Sequence, residues 1–342
     1  MTILELTDAR WRDFVGGNPA STPFHHPEWA KLVGDCYGFR AFAITVQDTD
    51  GHIRAGLPVV EVRHMPGRAK WVSLPFTDYC PPLTTSPGDA SSLTAALVHA
   101  SASAGIHHVE FRSQVEGASP AGPPALRHVL DLDEDPAQVY ARFHASQVQR
   151  NIRRAEREGV RVRRGDHPDD LLEVFYNLHL GTRHRQGVPI QPRRFFRLLW
   201  ERAVEPGLGS VLIAEAKGQP VAAAVFLTWN GTLIYKFGAS DETAWKLRPN
   251  HLLFWEAIQA ACAQGCRSMD WGRTDAGQEG LAAFKRSWGA REEPLTYAEI
   301  GPGREHRPPS SGRIGRALAA VIRHGPPILT RLTGELLYRY TA

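Results

Sequence analysis

In the segment DWGRTDAGQEGLAAFKRSWG (270–289), Leu281, Phe284 and Trp288 recur at i, i+3 and i+7, and Lys285 at i+4 falls inside that stripe. This is the spacing of one helix face. The chain holds only six lysines against 34 arginines, so an ammonium on an apolar face stands out from the general basic background. A compact cation in a partly dry site can stabilise an oxyanion growing on a carbonyl, which is worth about 3 kcal/mol in acyl transfer. The same lysine can equally snorkel, or pair with Asp270, Asp275 or Glu279, for structural reasons alone. A second cluster, Tyr235 to Asp241 (YKFGASD), runs off a strand end. Strict alternation there puts Lys236 on the face opposite Tyr235 and Phe237. Tyr235, Lys236 and Ser240 are candidate substrate contacts, or simply the edge of a hairpin.

Other chemistries find no support. The chain has no Gly-rich phosphate loop ending in Lys-Ser/Thr, no GxSxG elbow, no HExxH and no strand-linked GxGxxG. His25-His26 and His107-His108 are adjacent pairs, and neighbours in a strand point to opposite faces. Cys262 and Cys266, at i and i+4, fit a helix face, and no histidine falls in register to complete a zinc site. No metal is expected.

The elements that must position these residues follow one plan used twice. AFAITVQ (41–47), AGLPVVEV (55–62) and KWVSLP (70–75) read as a β-meander, followed by a Pro-rich loop, a helix (92–104) closed by Gly105, and the strand HHVEF (107–111). SVLIAEA (210–216), VAAAVFLTW (221–229) and TLIYKFG (232–238) repeat the meander, with turns at Lys217–Pro220 and Asn230-Gly231. A helix capped by Asn250 and ended by Gly265 then leads to the strand SMDW (268–271). Between the halves, Asp135-Pro136 reads as a helix start, and further helices are expected over 169–186 and 192–203. The pattern predicts an α+β fold of two similar domains, 1–135 and 136–302, with a helical tail, 303–342, packing on the first domain.

The 342 residues suit about two domains with real cores. No apolar run approaches the roughly 20 residues that cross a bilayer; the start, MTILELTDARW, lacks a secretory signal pattern; and four unpaired-looking cysteines favour a reduced compartment. These features lead to the expectation of a cytoplasmic protein. The net charge of +4 is uneven: residues 142–164 hold eight Arg and two Glu, and residues 303–342 hold seven Arg and two Glu, over an otherwise acidic body. Two basic segments suit an anionic partner, although charge runs are also commonly just solvated. In the tail, Ile314, Ala317, Leu318, Val321 and Ile322 form an apolar stripe flanked by Arg313, Arg316 and Arg323. Such a helix either docks on the body or lies on an anionic membrane, so a peripheral contact through 313–340 is a second expectation.

Several runs together carry a resemblance. Phe24-His25-His26-Pro27-Glu28-Trp29, Arg150-Asn151-Ile152-Arg153-Arg154-Ala155, Tyr235 to Ser240, Pro249 to Glu256 (PNHLLFWE), Asp270-Trp271-Gly272-Arg273 and Gly280 to Gly289 (GLAAFKRSWG) occur in order over about residues 20–300. The chain thereby resembles the FemABX-like group of the GNAT acyltransferase superfamily. The resemblance implies two tandem GNAT-like domains and transfer of an acyl or aminoacyl group to an amine, forming an amide on a cell-envelope, peptidoglycan, exopolysaccharide or other saccharide precursor. The implied donor is a co-substrate, aminoacyl-tRNA or acyl-CoA (or an acyl carrier), with no permanently bound cofactor.

The resemblance also implies roles for residues. Lys285 looks like the family lysine that polarises the donor carbonyl, and Asp270 or Asp275 would orient the nucleophile or assist its deprotonation. Lys31 is similar to a position that holds a precursor phosphate. Arg273 and Trp288 would line the substrate site. Arg150, Arg153, Arg154 and Arg157 would meet phosphates of tRNA or of a lipid-linked or nucleotide-linked precursor. The span 131–175 has no room for the long helical arm of some members, and the chain lacks a clear Gly-rich pyrophosphate loop. A tandem-GNAT protein that binds an anionic lipid or RNA without catalysis is the alternative.

Overall fold

The fold repeats a single order of elements, meander, helix, parallel strand, in each of two units. The structure is a computed structural model describing residues 1–65, 68–301 and 313–341, so the opening of the expected tail, 303–312, lies outside the described residues. One unit comprises residues 1–126 with a returning segment from Pro294, and the other comprises residues 127–293 with the C-terminal helices. These borders differ from the expected 135/136 and 302. Asp135 does cap a helix, its carboxylate accepting the Ala137 N–H at 2.9 Å, but a cap marks where a helix begins and not where packing changes partner.

The first unit holds β1 (Thr2–Leu4), α1 (Ala9–Gly17), α2 (Pro27–Tyr37), β2 (Arg40–Gln47), β3 (Ile53–Met65), β4 (Arg68–Val72), β5 (Leu83–Thr84), α3 (Asp89–Ser103) and β6 (Val109–Phe111). β1–β4 form an antiparallel run, β6 joins β4 in parallel through Trp71↔Val109 and Val72↔Glu110, and β5 pairs with β3. The chain passes into the second unit along β7 (Ser119–Asp131).

There follow α4 (Pro136–Ala141), α5 (Arg150–Arg157), β8 (Arg161–Arg164), α6 (Tyr176–Gln186), α7 (Arg193–Leu199), β9 (Gly209–Ala216), β10 (Gln219–Trp229) and β11 (Thr232–Ser240). Next come α8 (Pro249–Ala263), β12 (Ser268–Asp275), α9 (Glu279–Ser287), β13 (Arg291–Ile300), α10 (Arg313–His324) and α11 (Pro327–Leu337). β8, β9, β10 and β11 are antiparallel neighbours, and β12 adds to β11 in parallel.

The duplication extends to the helix ends. Gly105 follows α3 at φ 68° and Gly265 follows α8 at φ 72°. The next amide folds back five residues in both, Ile106 N to Ser101 O at 2.8 Å and Cys266 N to Ala261 O at 2.9 Å. This is a Schellman-type stop, for which glycine is favoured because it alone enters left-handed backbone without a Cβ clash. At its other end α8 begins with Pro249, one residue before the expected cap: Arg248, at φ 61°, is the capping residue and Asn250 is already helical. Proline suits the first helical position because its missing N–H would have no partner there.

Within the second unit, alternate residues of β9 and β10 (Leu212, Ala214, Ala216; Ala222, Ala224, Phe226) pack with α8 residues Leu253, Ala257, Ile258 and Ala261. The tail packs on this same unit, against α6 and the turn after it, and not on the first domain as expected. Gly334 of α11 sits so close to the chain that a Cβ there would fall on the Ile190 carbonyl oxygen, and Gly187 (φ 69°) faces Ala319 in the same way. Gln191 donates to the Tyr338 hydroxyl at 2.9 Å and Glu335 accepts the Arg193 N–H at 3.0 Å. Two glycines, and not the apolar stripe alone, choose the docking face. Gly334→Ala is therefore expected to cost about 1–3 kcal/mol by overpacking, read as a lower melting temperature and earlier proteolytic cleavage before α11; unchanged values would mean the tail is not held there.

Candidate active site

The parallel pairing of β11 with β12 covers only Thr232↔Ser268, Leu233↔Met269 and Ile234↔Asp270, although β11 continues to Ser240 and β12 to Asp275. Past Ile234 and Asp270 the two strands part. Each carries an irregularity just beyond that point. In β11, Val225 of β10 pairs with Phe237 and Phe226 pairs with Tyr235, leaving Lys236 as the extra residue of a β-bulge. In β12, Gly272 has φ 74°.

The bulge corrects one expectation. Because an inserted residue resets the alternation, Tyr235 and Phe237 do not share a face. Tyr235 packs on Phe254 (ring centroids 4.9 Å apart) and Trp271 (6.1 Å), on the α8 side. Phe237 packs on His179, Phe195 and Phe196 of α6 and α7. Lys236 bends its Nζ over the Phe237 ring at 5.4 Å. Burial of the Tyr235 hydroxyl pushes the phenol up to about 12, so it remains protonated and available as a donor at neutral pH.

Lys285 is 3% exposed, and its stem lies in α9 as the stripe predicts. Nζ donates to Gly272 O at 3.0 Å, Arg273 O at 3.1 Å and Thr274 Oγ1 at 2.9 Å. Consecutive carbonyls of a regular strand point to opposite sides. The positive φ of Gly272 breaks that rule, so both carbonyls reach one ammonium. Asp270 fixes the kink from the other side: its Oδ1 accepts the Gly272 N–H at 2.7 Å and its Oδ2 accepts Arg127 Nε at 2.8 Å. Asp270 is thus bound as a scaffold carboxylate. Asp275 lies at the exposed end of β12, paired with Arg273 at 2.6 Å.

A chain of hydrogen bonds continues from the lysine. Thr274 Oγ1 lies 3.3 Å from His128 Nδ1, and His128 Nε2 lies 3.2 Å from Glu292 Oε1, which also accepts Arg286 at 2.7 Å. Burial first, and then the neighbouring Lys285 charge, hold the His128 pKa below its ordinary value. The neutral ring accepts from Thr274 and donates to Glu292. Trp288 is wholly buried, stacked on His251 (5.9 Å) and tilted against Trp271 (5.4 Å), and the buried indole N–H groups of Trp271 and Trp288 have no hydrogen-bond partner among the described residues.

The remaining candidates disperse. Ser240 accepts Trp245 Nε1 at 2.9 Å and, through its carbonyl, Arg185 at 2.7 Å; it lines a groove of about 500 Å³ with Glu173, Asn177 and Asp241. Lys31 belongs to the first unit, on α2, where it pairs with Glu28 at 3.2 Å. On α5, Arg150, Arg153 and Arg157 are exposed, while Arg154 is half-buried beside Glu158. Sequence reasoning missed Arg127, His128 and Thr274. Only Gly272 gave a signal, as a glycine inside a strand pattern marks a bulge or kink.

Residues 142–286 match the family model of the acetyltransferase (GNAT) domain, and no curated protein matches the chain. Among solved structures, FemX superposes with a TM-score of 0.71 at 14% identity, covering 95% of this chain and 100% of its own. A tandem GNAT protein of the clavulanic acid biosynthesis pathway gives 0.54 at 13% identity, covering 89% and 99%. A domain assigned to a lysylphosphatidylglycerol synthetase of Agrobacterium fabrum also gives 0.54 at 13%, covering 92% and 95%. Identities this low speak for fold alone: the chain has a tandem GNAT-like fold that superposes on FemX.

Burial also sets the response to acid. It pushes His25 down to about 4, His179 to about 3 and His251 to about 4. Each folded value lies below the ordinary 6.5, so below that pH the unfolded chain binds more protons than the folded one. Stability is complete above about pH 6.5 and is lost as the pH falls toward 4, by up to about 1.4 kcal/mol per pH unit for each histidine. Chemical denaturation at pH 7.5 and at pH 5 is expected to show a clear drop; equal midpoints would mean these rings are not buried neutral.

Proposed function

We propose that the protein is an N-acyltransferase that passes an acyl or aminoacyl group from an activated ester or thioester to an amine, with the donor lying in the opening between β11 and β12. One observation carries this reading: two parallel strands of a GNAT domain pair for three residues and then part, so that the stretches following Ile234 and Asp270 no longer pair with each other and an extended donor can lie between them. Unpaired strand edges accept an added extended segment by main-chain hydrogen bonding. The unpartnered indole N–H of Trp271, one residue past the last pair, fits such an occupant, because a buried donor without an acceptor costs about 1–3 kcal/mol.

In this reading the neutral amine attacks the donor carbonyl, a C–N bond forms, and the C–O or C–S bond breaks as the alcohol or thiol leaves with a proton. Positioning supplies much of the rate. Lys285 already donates to Gly272 O, Arg273 O and Thr274 Oγ1, so it acts through its charge. A cation on those carbonyls polarises their peptide groups and strengthens the N–H groups of Arg273 and Thr274 as donors to a developing oxyanion.

The acceptor is proposed to be an amine of a cell-envelope or saccharide precursor. The likeness to FemX, and to a domain of a protein named for an aminoacylated lipid, supports aminoacyl-tRNA as donor. The exposed arginines of α5 suit its phosphates. Acyl-CoA remains the alternative donor, supported by the GNAT match and by a structural neighbour described in a form without acetyl-CoA. The hydrogen bonds already made by Lys285 favour a second reading, a tandem GNAT binding protein without catalysis.

Lys285→Met is expected to cut the single-turnover rate on the order of a hundredfold or more, with Lys285→Arg retaining part of it. Acetyl-CoA or aminoacyl-tRNA should still raise the melting temperature of both variants, since a ligand that binds the native state stabilises it. Wild-type turnover by the folded Met variant would remove Lys285 from the reaction. Stabilisation by a donor with no turnover in any variant would favour the binding role.

A further inference from the structure

Eleven large apolar side chains stand exposed in the described chain, and six of them fall within the tail: Val321, Ile328, Leu332, Leu336, Leu337 and Tyr340. On α11, Ile328, Leu332 and Leu336 recur at i, i+4 and i+8, so they form one stripe, and Tyr340 extends it. The opposite side of the same helix is the docked side, with Thr330 and Gly334 buried, and Ile322 of α10 wholly buried beside it. The tail is therefore held to the second unit by one face while presenting an apolar face to solvent, a combination that monomeric surfaces rarely carry without a partner.

The charges identify the partner. Arg316 and Arg339 are exposed alongside the stripe, Arg323 donates to the Gln186 carbonyl at 3.3 Å, Arg331 lies toward Glu173, and the single carboxylate of the described tail, Glu335, is turned to the backbone N–H of Arg193. Arg339 lies with its guanidinium 5.6 Å from the Tyr340 ring, an aromatic–cation pair of the kind that sits at the headgroup level of a bilayer. A second copy of this chain would bring arginines against arginines across a two-fold interface, which costs stability. An anionic bilayer surface instead offers hydrocarbon to the stripe and headgroup charge to its arginines.

We infer that α10 and α11 form a membrane-seating face, on which Ile328, Leu332, Leu336 and Tyr340 enter the headgroup region of an anionic leaflet while Arg316 and Arg339 meet its phosphates. No helix among the described residues is long and apolar enough to cross a membrane, so this contact is peripheral. It stands independently of the transfer reaction, since it rests on the outer face of the tail and not on the opening between β11 and β12.

The test is co-sedimentation of the full chain with phosphatidylcholine vesicles, with and without phosphatidylglycerol, at low and high salt. Binding to the anionic vesicles is expected to be at least about tenfold tighter than to the neutral ones, and to weaken with salt. Leu332→Glu with Leu336→Glu should abolish it without lowering the melting temperature, because both side chains are exposed. Four results would overturn the inference: no binding to anionic vesicles, equal binding to neutral ones, wild-type binding by the double variant, or a dimer in solution that the double variant converts to monomer.

Discussion

A buried ammonium needs hydrogen-bond acceptors, and Lys285 finds three of them on one turn of backbone. Removing an ion from water costs several kcal/mol unless its donors are satisfied, so the requirement runs both ways. The lysine needs Gly272 in left-handed backbone to bring two consecutive carbonyls to one point. Gly272 in turn needs Asp270 to hold its N–H, and Asp270 needs Arg127. The kink of β12 is thus fixed by charges on both sides of the strand. A strand bent in this way cannot follow β11, and the opening between them results.

The same constraint organises the surroundings. Burial, and then the charge of Lys285, lower the proton affinity of His128, and the neutral ring fits between the Thr274 hydroxyl and the Glu292 carboxylate. Aromatic rings of Tyr235, Phe254, Trp271 and Trp288 close the apolar side. Charge and dryness thereby coexist within a few ångströms, which is the condition under which a fixed dipole acts strongly on a reacting carbonyl.

Much of the fold was legible because it rests on local signals. Meander turns, the glycines at 105 and 265, and the apolar stripe around Lys285 each write themselves into a few adjacent residues. The structure departs from the stripe in one detail: Leu281 is exposed, while Phe284 and Trp288 carry the packing. What was not legible depends on residues far apart in the chain. Arg127 is 143 positions from Asp270, and nothing local announces their pairing. The bulge at Lys236 looks in sequence like ordinary alternation, yet it sends Tyr235 and Phe237 to opposite faces. The tail's docking face was set by contacts of Gly187 and Gly334, residues that read in sequence only as a helix stop and a weak helix former.

The central claim is that the opening between β11 and β12, past Ile234 and Asp270, receives the acyl donor. Hydrogen exchange of the amides at 236–240 and 272–275, measured with and without acetyl-CoA and with and without an aminoacyl-tRNA pool, tests it most directly. Slowed exchange in both segments with one of these donors is the predicted result. Unchanged exchange there, with a donor that demonstrably binds elsewhere on the chain, would contradict it.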